Sequence, residues 1–72
     1  MPKYPILKPR ELIKALSKLG YYFKSQNGSH AKYTNDQTTL IIPMHTEIAQ
    51  YTLKGILERA DIDIEDFKKL LK

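Results

Sequence analysis

The stretch from Lys24 to Tyr33 holds the residues best suited to chemistry: Lys24, Ser25, Gln26, Asn27, Gly28, Ser29, His30, Ala31, Lys32 and Tyr33. An imidazole titrates near neutrality, at about 6.5 in unperturbed peptides, so it can take up and return a proton under ordinary conditions. That is the requirement for general acid–base work. Asn27-Gly28 tolerates positive φ and favours a tight turn, which puts His30 just beyond the turn, held by strand pairing yet open to solvent. Lys24 and Lys32 flank the turn, so an anion approaching His30 meets positive charge on the way. The combination suits a phosphodiester. From its position alone, His30 is more readily an ordinary surface histidine than a catalyst.

The charge distribution points the same way. Residues 1–34 carry seven Lys or Arg against Glu11 alone, or +6, while residues 35–72 carry five against seven acids, or −2. Together these give the net charge of +4. A charge of that size by itself only keeps a small protein soluble, but its concentration around His30 favours a polyanionic partner. The second histidine, His45, follows an apolar run ended by Pro43 and has three open roles: proton transfer, phosphate binding, or capping of the next helix. Two histidines without clustered carboxylates fall short of the three protein ligands usual for catalytic zinc, and with no cysteine there is no thiolate site or disulfide framework. Neither metal nor cofactor is expected.

The elements that must position these residues follow from periodicity. Pro9 suits a first helical turn and Glu11 its positive dipole end. Leu12, Ile13, Leu16 and Leu19 then mark an apolar face up to Gly20, predicting a helix from about Pro9 to Leu19 with Lys14 and Lys18 as a solvated ridge. The aromatic run Tyr21, Tyr22, Phe23, Lys24 predicts a first strand. Alternation in the second puts Ala31 and Tyr33 on the core side and His30 with Lys32 on the other. Asn35, Asp36 and Gln37 form a turn into a third strand, Thr38 to Ile42. Leu53, Ile56, Leu57 and Ala60 mark a helix from about Ala49 to Ala60, where Gly55 suggests close approach to another element. Asp63 caps a last helix with Ile64, Phe67, Leu70 and Leu71 on its apolar face and Lys68, Lys69 and Lys72 toward its end. Most of Tyr21, Tyr22, Tyr33 and Tyr51 are assigned to the core; Tyr22 is the exception because it shares the parity of Lys24. Ile6 and Leu7 end an irregular leader and are expected to tuck against the domain.

The expectation is one α+β domain spanning residues 1–72, with a three-stranded antiparallel sheet and helices in the order α-β-β-β-α plus a short C-terminal helix. With no apolar run near the roughly 20 residues of a membrane span, a cytoplasmic protein is expected.

Most of the chain resembles the HicA-type toxins of bacterial toxin–antitoxin pairs. The resemblance runs through Glu11-Leu12-Ile13-Lys14-Ala15-Leu16 with its closing Gly20, then Gly28-Ser29-His30, Ile42-Pro43-Met44-His45, and Thr52-Leu53 with Ile56-Leu57. Tyr51 and Asp61 stand where that family usually has glycine. The resemblance implies a double-stranded-RNA-binding-domain-like fold, an mRNA interferase that cuts RNA without metal, His30 as the catalytic residue, and a HicB-type antitoxin that covers the site. Lys24, Ser29, Lys32 and His45 are the candidate RNA contacts. A non-catalytic RNA-binding module, which would read A-form shape through 2′-hydroxyl and phosphate contacts, is the alternative. Lys, Tyr or water could protonate the leaving group.

Overall fold

The computed structural model describes residues 4–71. Pro2, Lys3 and Lys72, which enter the leader, the charge count and the last helix above, lie outside the described residues. The elements run in the order α1 (Pro9–Ser17), β1 (Tyr22–Asn27), β2 (His30–Thr34), β3 (Thr39–Pro43), α2 (Gln50–Ala60) and α3 (Ile64–Leu70). This is the expected α-β-β-β-α order with its additional helix.

Helix α1 starts where Pro9 needs no amide partner, and the Glu11 carboxylate accepts from the Lys8 backbone amide at 2.8 Å. It is two residues shorter than its periodicity predicts. Residues 18–20 form a turn in which the Tyr21 amide reaches the Leu16 carbonyl at 3.2 Å and Gly20 takes φ +89°. Leu19, beyond the last helical turn, is exposed instead of joining the core. Helix α2 closes in the same way: Ile62 N–H reaches the Leu57 carbonyl at 3.0 Å and Asp61 takes φ +57°. An aspartate therefore fills the left-handed position usually given to glycine, where its Cβ is unfavourable. Asp63 caps α3 by accepting from the Glu65 amide at 3.2 Å.

The sheet has strand order β1-β2-β3 and is antiparallel throughout. In β2 and β3, Ala31 opposes Ile42 and Tyr33 opposes Leu40, so these four share one face. Ala31, Leu40 and Ile42 are fully buried there. Leu40 and Ile42 join one core cluster with Leu12, Leu16, Leu53, Leu57 and Phe67 of the three helices. All three helices therefore lie against that face, as the alternation of β2 requires. Strand β1 is different: all six of its residues are exposed, so the helix layer covers β2 and β3 and leaves β1 as an uncovered edge. Its Phe23 packs against Tyr33, edge to face with ring centroids 5.7 Å apart.

Several expectations change. Tyr21 is buried just ahead of β1 and Tyr33 is half-buried, but Tyr51 is 87% exposed because it sits on the outer side of α2. Gly55 has no close neighbour; a Cβ there would meet nothing within 4 Å. Leu7 tucks into the core and forms a bridge with Ile48, whereas Ile6 remains exposed. Lys18 is no simple solvated residue: its Nζ donates to the Leu70 carbonyl at 2.7 Å, tying α1 to the end of α3.

Candidate active site

The turn between β1 and β2 consists of Gly28 and Ser29, because Asn27 is already paired with His30. The structure thus shifts the expected Asn27-Gly28 turn by one residue. Gly28 alone takes positive φ, +61°, at the first of the two turn positions, the arrangement in which glycine leads a tight hairpin. His30 is consequently the first residue of β2, fixed on one side by Asn27 and on the other by Pro43. Its side chain is exposed, and among the described residues no hydrogen bond or ion pair engages its imidazole.

The face opposite the helices collects one residue from each strand at every step of the ladder. Asn27, His30 and Pro43 form the first row, Ser25, Lys32 and Ile41 the second, and Tyr22, Thr34 and Thr39 the third. His30 and Lys32 point out on the same side, as alternation predicts, and both are exposed. Ile41 was not expected in this company. It is 54% exposed between two fully buried neighbours, Leu40 and Ile42, so an apolar side chain lies beside Lys32 and one row from His30. The only signal in the sequence was parity, masked because Leu40, Ile41 and Ile42 are all apolar.

Lys24 does not take the place that alternation gives it. Phe23 opposes Tyr33 and Ser25 opposes Lys32, so Lys24 is an extra residue in a β-bulge without a partner on β2. Ser25 therefore stands beside Lys32, and Lys24 lies farther up the edge strand, exposed. Tyr22 regains the open face through that bulge. Its hydroxyl hydrogen-bonds to the Asp36 carboxylate at the end of the sheet away from His30. Tyr22 ionises later than an ordinary tyrosine, first because this hydrogen bond holds its proton, then through desolvation and the nearby negative charge. Thr34 ends this row buried under the Asn35–Thr38 turn, its hydroxyl donating to the Thr38 carbonyl at 3.1 Å.

Ser29 and the loop that carries His45 are joined at the opposite end. The Met44 amide donates to the Ser29 carbonyl at 2.6 Å, extending the β2–β3 ladder by one bond and tying the loop after β3 to the hairpin turn. His45 follows directly, exposed, and lines an open hollow with Lys8, Pro9, Arg10, Met44 and Glu47. Nothing assigns it to capping α2: Ala49 occupies the N-cap, and no side chain bonds there. The fold therefore brings His30, Ser29 and His45 to one end of the sheet, with Lys32 one row away on the face of His30, and leaves Lys24 at its rim.

A free imidazole beside an ammonium on an uncovered surface can take a proton from a hydroxyl and hold a neighbouring anion. Among the described residues, no three of His, Cys, Asp and Glu gather as a metal-binding group, and no helix is long and apolar enough to cross a membrane. Residues 9–62 match the family described as HicA toxin of bacterial toxin-antitoxin, a span that includes every residue of the open face. No curated protein matches the chain.

Proposed function

Because the chain belongs to the HicA toxin family of bacterial toxin–antitoxin systems, we propose that it is an endoribonuclease toxin that cuts mRNA with His30. The observation that carries this reading is the exposed imidazole of His30, held in register by pairing on both sides and sharing its face with Lys32. His30 removes the proton from a ribose 2′-hydroxyl as that oxygen attacks the adjacent phosphorus. The bond to the 5′-oxygen breaks, that oxygen leaves with a proton from water, and a 2′,3′-cyclic phosphate remains. Lys32 offsets the charge that grows on the phosphate oxygens, where electrostatic stabilisation acts most strongly. Lys24, set apart by the bulge, contributes attraction along the strand path and no contact at the reacting phosphate. No step calls for a metal.

A HicB-type antitoxin is the protein partner of this reading, and the open face is its docking ground. Ile41 offers an apolar anchor beside Lys32, so a partner that places an apolar side chain over Ile41 and acidic groups over the lysine would cover His30 as it docks. Incubating the pure protein with mRNA in the presence of a chelator tests the activity. Cleavage yielding cyclic phosphate ends is expected; retention of intact RNA would instead favour a binding module of double-stranded-RNA-binding-domain type.

A further inference from the structure

The hollow beside His45 is formed by two segments far apart in sequence. Lys8, Pro9 and Arg10 open α1, while Met44, His45 and Glu47 belong to the loop after β3. Its floor is apolar, from Pro9 and Met44, and its rim carries two permanent cations, Lys8 and Arg10, against the single carboxylate of Glu47. The residues Lys8, Arg10 and His45 are all exposed. Among the described residues, no hydrogen bond or ion pair engages the guanidinium of Arg10. The Glu11 carboxylate is already turned back onto the Lys8 amide, so it does not neutralise Arg10 through an ion pair.

The position of this hollow relative to His30 is fixed by the sheet. Pro43 opposes His30, Met44 bonds to Ser29, and His45 comes next, so the two histidine Cα atoms lie no more than about 13 Å apart. At that separation, RNA whose scissile phosphate sits at His30 can reach the hollow with a neighbouring nucleotide if its strand turns over this end of the sheet toward the start of α1. An apolar floor suits the flat face of a base, and a cationic rim suits the phosphate attached to it.

We propose that this hollow is a nucleotide subsite for the RNA, with Arg10 and Lys8 binding the phosphate that flanks the scissile one and Met44 with Pro9 supporting its base. This rests on the ribonuclease reading above. Arg10 is the main anchor because its planar guanidinium can present two parallel donors to one phosphate. Lys8 adds a point charge. The subsite positions RNA and takes no part in bond breaking.

The test measures binding of a 2′-O-methyl RNA, which cannot be cut, to the full chain across a range of salt concentrations, alongside cleavage of the unmodified RNA. Arg10→Ala is expected to bind about tenfold more weakly, with a salt slope smaller by about one, and to raise KM while leaving kcat near the parental value. Arg10→Gln, which keeps most of the alkyl stem, serves as a second variant with the same expectation, and melting temperatures establish that both are folded. Lys69→Ala, on α3 beside Asp66, should change neither quantity. If the parent cuts RNA but both folded Arg10 variants bind and cut as it does, the subsite is overturned and the ribonuclease reading stands. A parent that neither binds nor cuts RNA removes both. Loss confined to antitoxin binding, with RNA affinity unchanged, would make the hollow a protein contact and also overturn the proposal.

Discussion

The two faces of the sheet are built from the same strands and have opposite energetics. On the covered face, Ala31, Leu40 and Ile42 lose all contact with water, and each large side chain stabilises the fold by roughly 1.5–3 kcal/mol through burial. On the open face, one residue away in each case, His30, Lys32 and Ile41 stay in solvent and stabilise little. A chain this small depends strongly on its covered face, since it has so little interior to draw on. The open face is therefore free to carry groups that folding does not require. That separation is why exchanging the His30 imidazole is expected to leave the structure intact.

The largest effect expected from breaking this division is chemical. His30→Ala should lower RNA cleavage by about 10² to 10⁴ while shifting stability by no more than about 0.5 kcal/mol, as measured by cleavage rate and melting temperature on the same preparation. Much of the RNA affinity should persist, because phosphate attraction resides in the cations. His45→Ala is expected to be milder, since its imidazole sits outside the first row of the ladder. A folded His30→Ala protein that cuts at the parental rate would remove His30 from the mechanism.

Next in size is a pair of adjacent substitutions. Ile42→Ala, on the covered face, should destabilise by about 2–5 kcal/mol, and Ile41→Ala, on the open face, by less than about 1 kcal/mol. Urea denaturation of the two variants reads the contrast directly. Similar losses from both would mean that the open face is buried in solution, for instance against a second copy. Ile41→Ala should also weaken antitoxin binding, which calorimetry would detect.

Two substitutions, one on the outer side of α2 and one at its C-cap, should improve the fold. Gly55→Ala is expected to stabilise by about 1 kcal/mol, because the new Cβ meets nothing and the helix gains propensity. Asp61→Gly relieves the left-handed strain at the end of α2 and should gain up to about 1 kcal/mol. Both can be followed as changes in melting temperature. A loss from Gly55→Ala would point to a contact on the outer side of α2 that forms only in solution.

The smallest effect marks the far end of the open face. A pH titration of the Tyr22 ring signals should find it losing its proton at higher pH than an ordinary tyrosine. The sign follows from the folded-state shift. With its pKa raised above the unfolded value, Tyr22 favours folding below about pH 10, and that contribution is lost as the pH rises through the folded pKa. In Asp36→Gly, which keeps the positive φ of that turn but removes the carboxylate, the delay should disappear.

Much of this organisation was legible in the residues because burial imposes periodicity. The spacing of Leu53, Ile56 and Leu57 located α2 to within a residue of its start, and the small Ala31 between His30 and Lys32 identified the covered side of β2. What escaped was local geometry that leaves no periodic trace. The bulge at Lys24 inserts one residue into β1 and cancels the parity argument for Lys24, and a run such as Lys24-Ser25-Gln26 looks the same with or without it. Ile41 was hidden by apolar neighbours on both sides. The hollow at Arg10 brings together residues more than thirty positions apart, a juxtaposition that only the fold creates. Tyr51 looked like core by residue type, but it precedes the inward positions of α2 and faces water.

The bulge at Lys24 also governs how this sheet meets other chains. Strand β1 is an edge, uncovered and paired on one side only, and a regular edge of that kind invites another strand to add to it and start aggregation. An incoming strand would lose register at Lys24 and meet a charge there. The other edge is blunted too, since Arg59 Nε occupies the Thr39 carbonyl at 2.8 Å and Pro43 offers no amide. A protein that docks on this sheet must therefore hold it by side chains across the face, and copies of the chain crowded together in the cell are kept from zipping edge to edge.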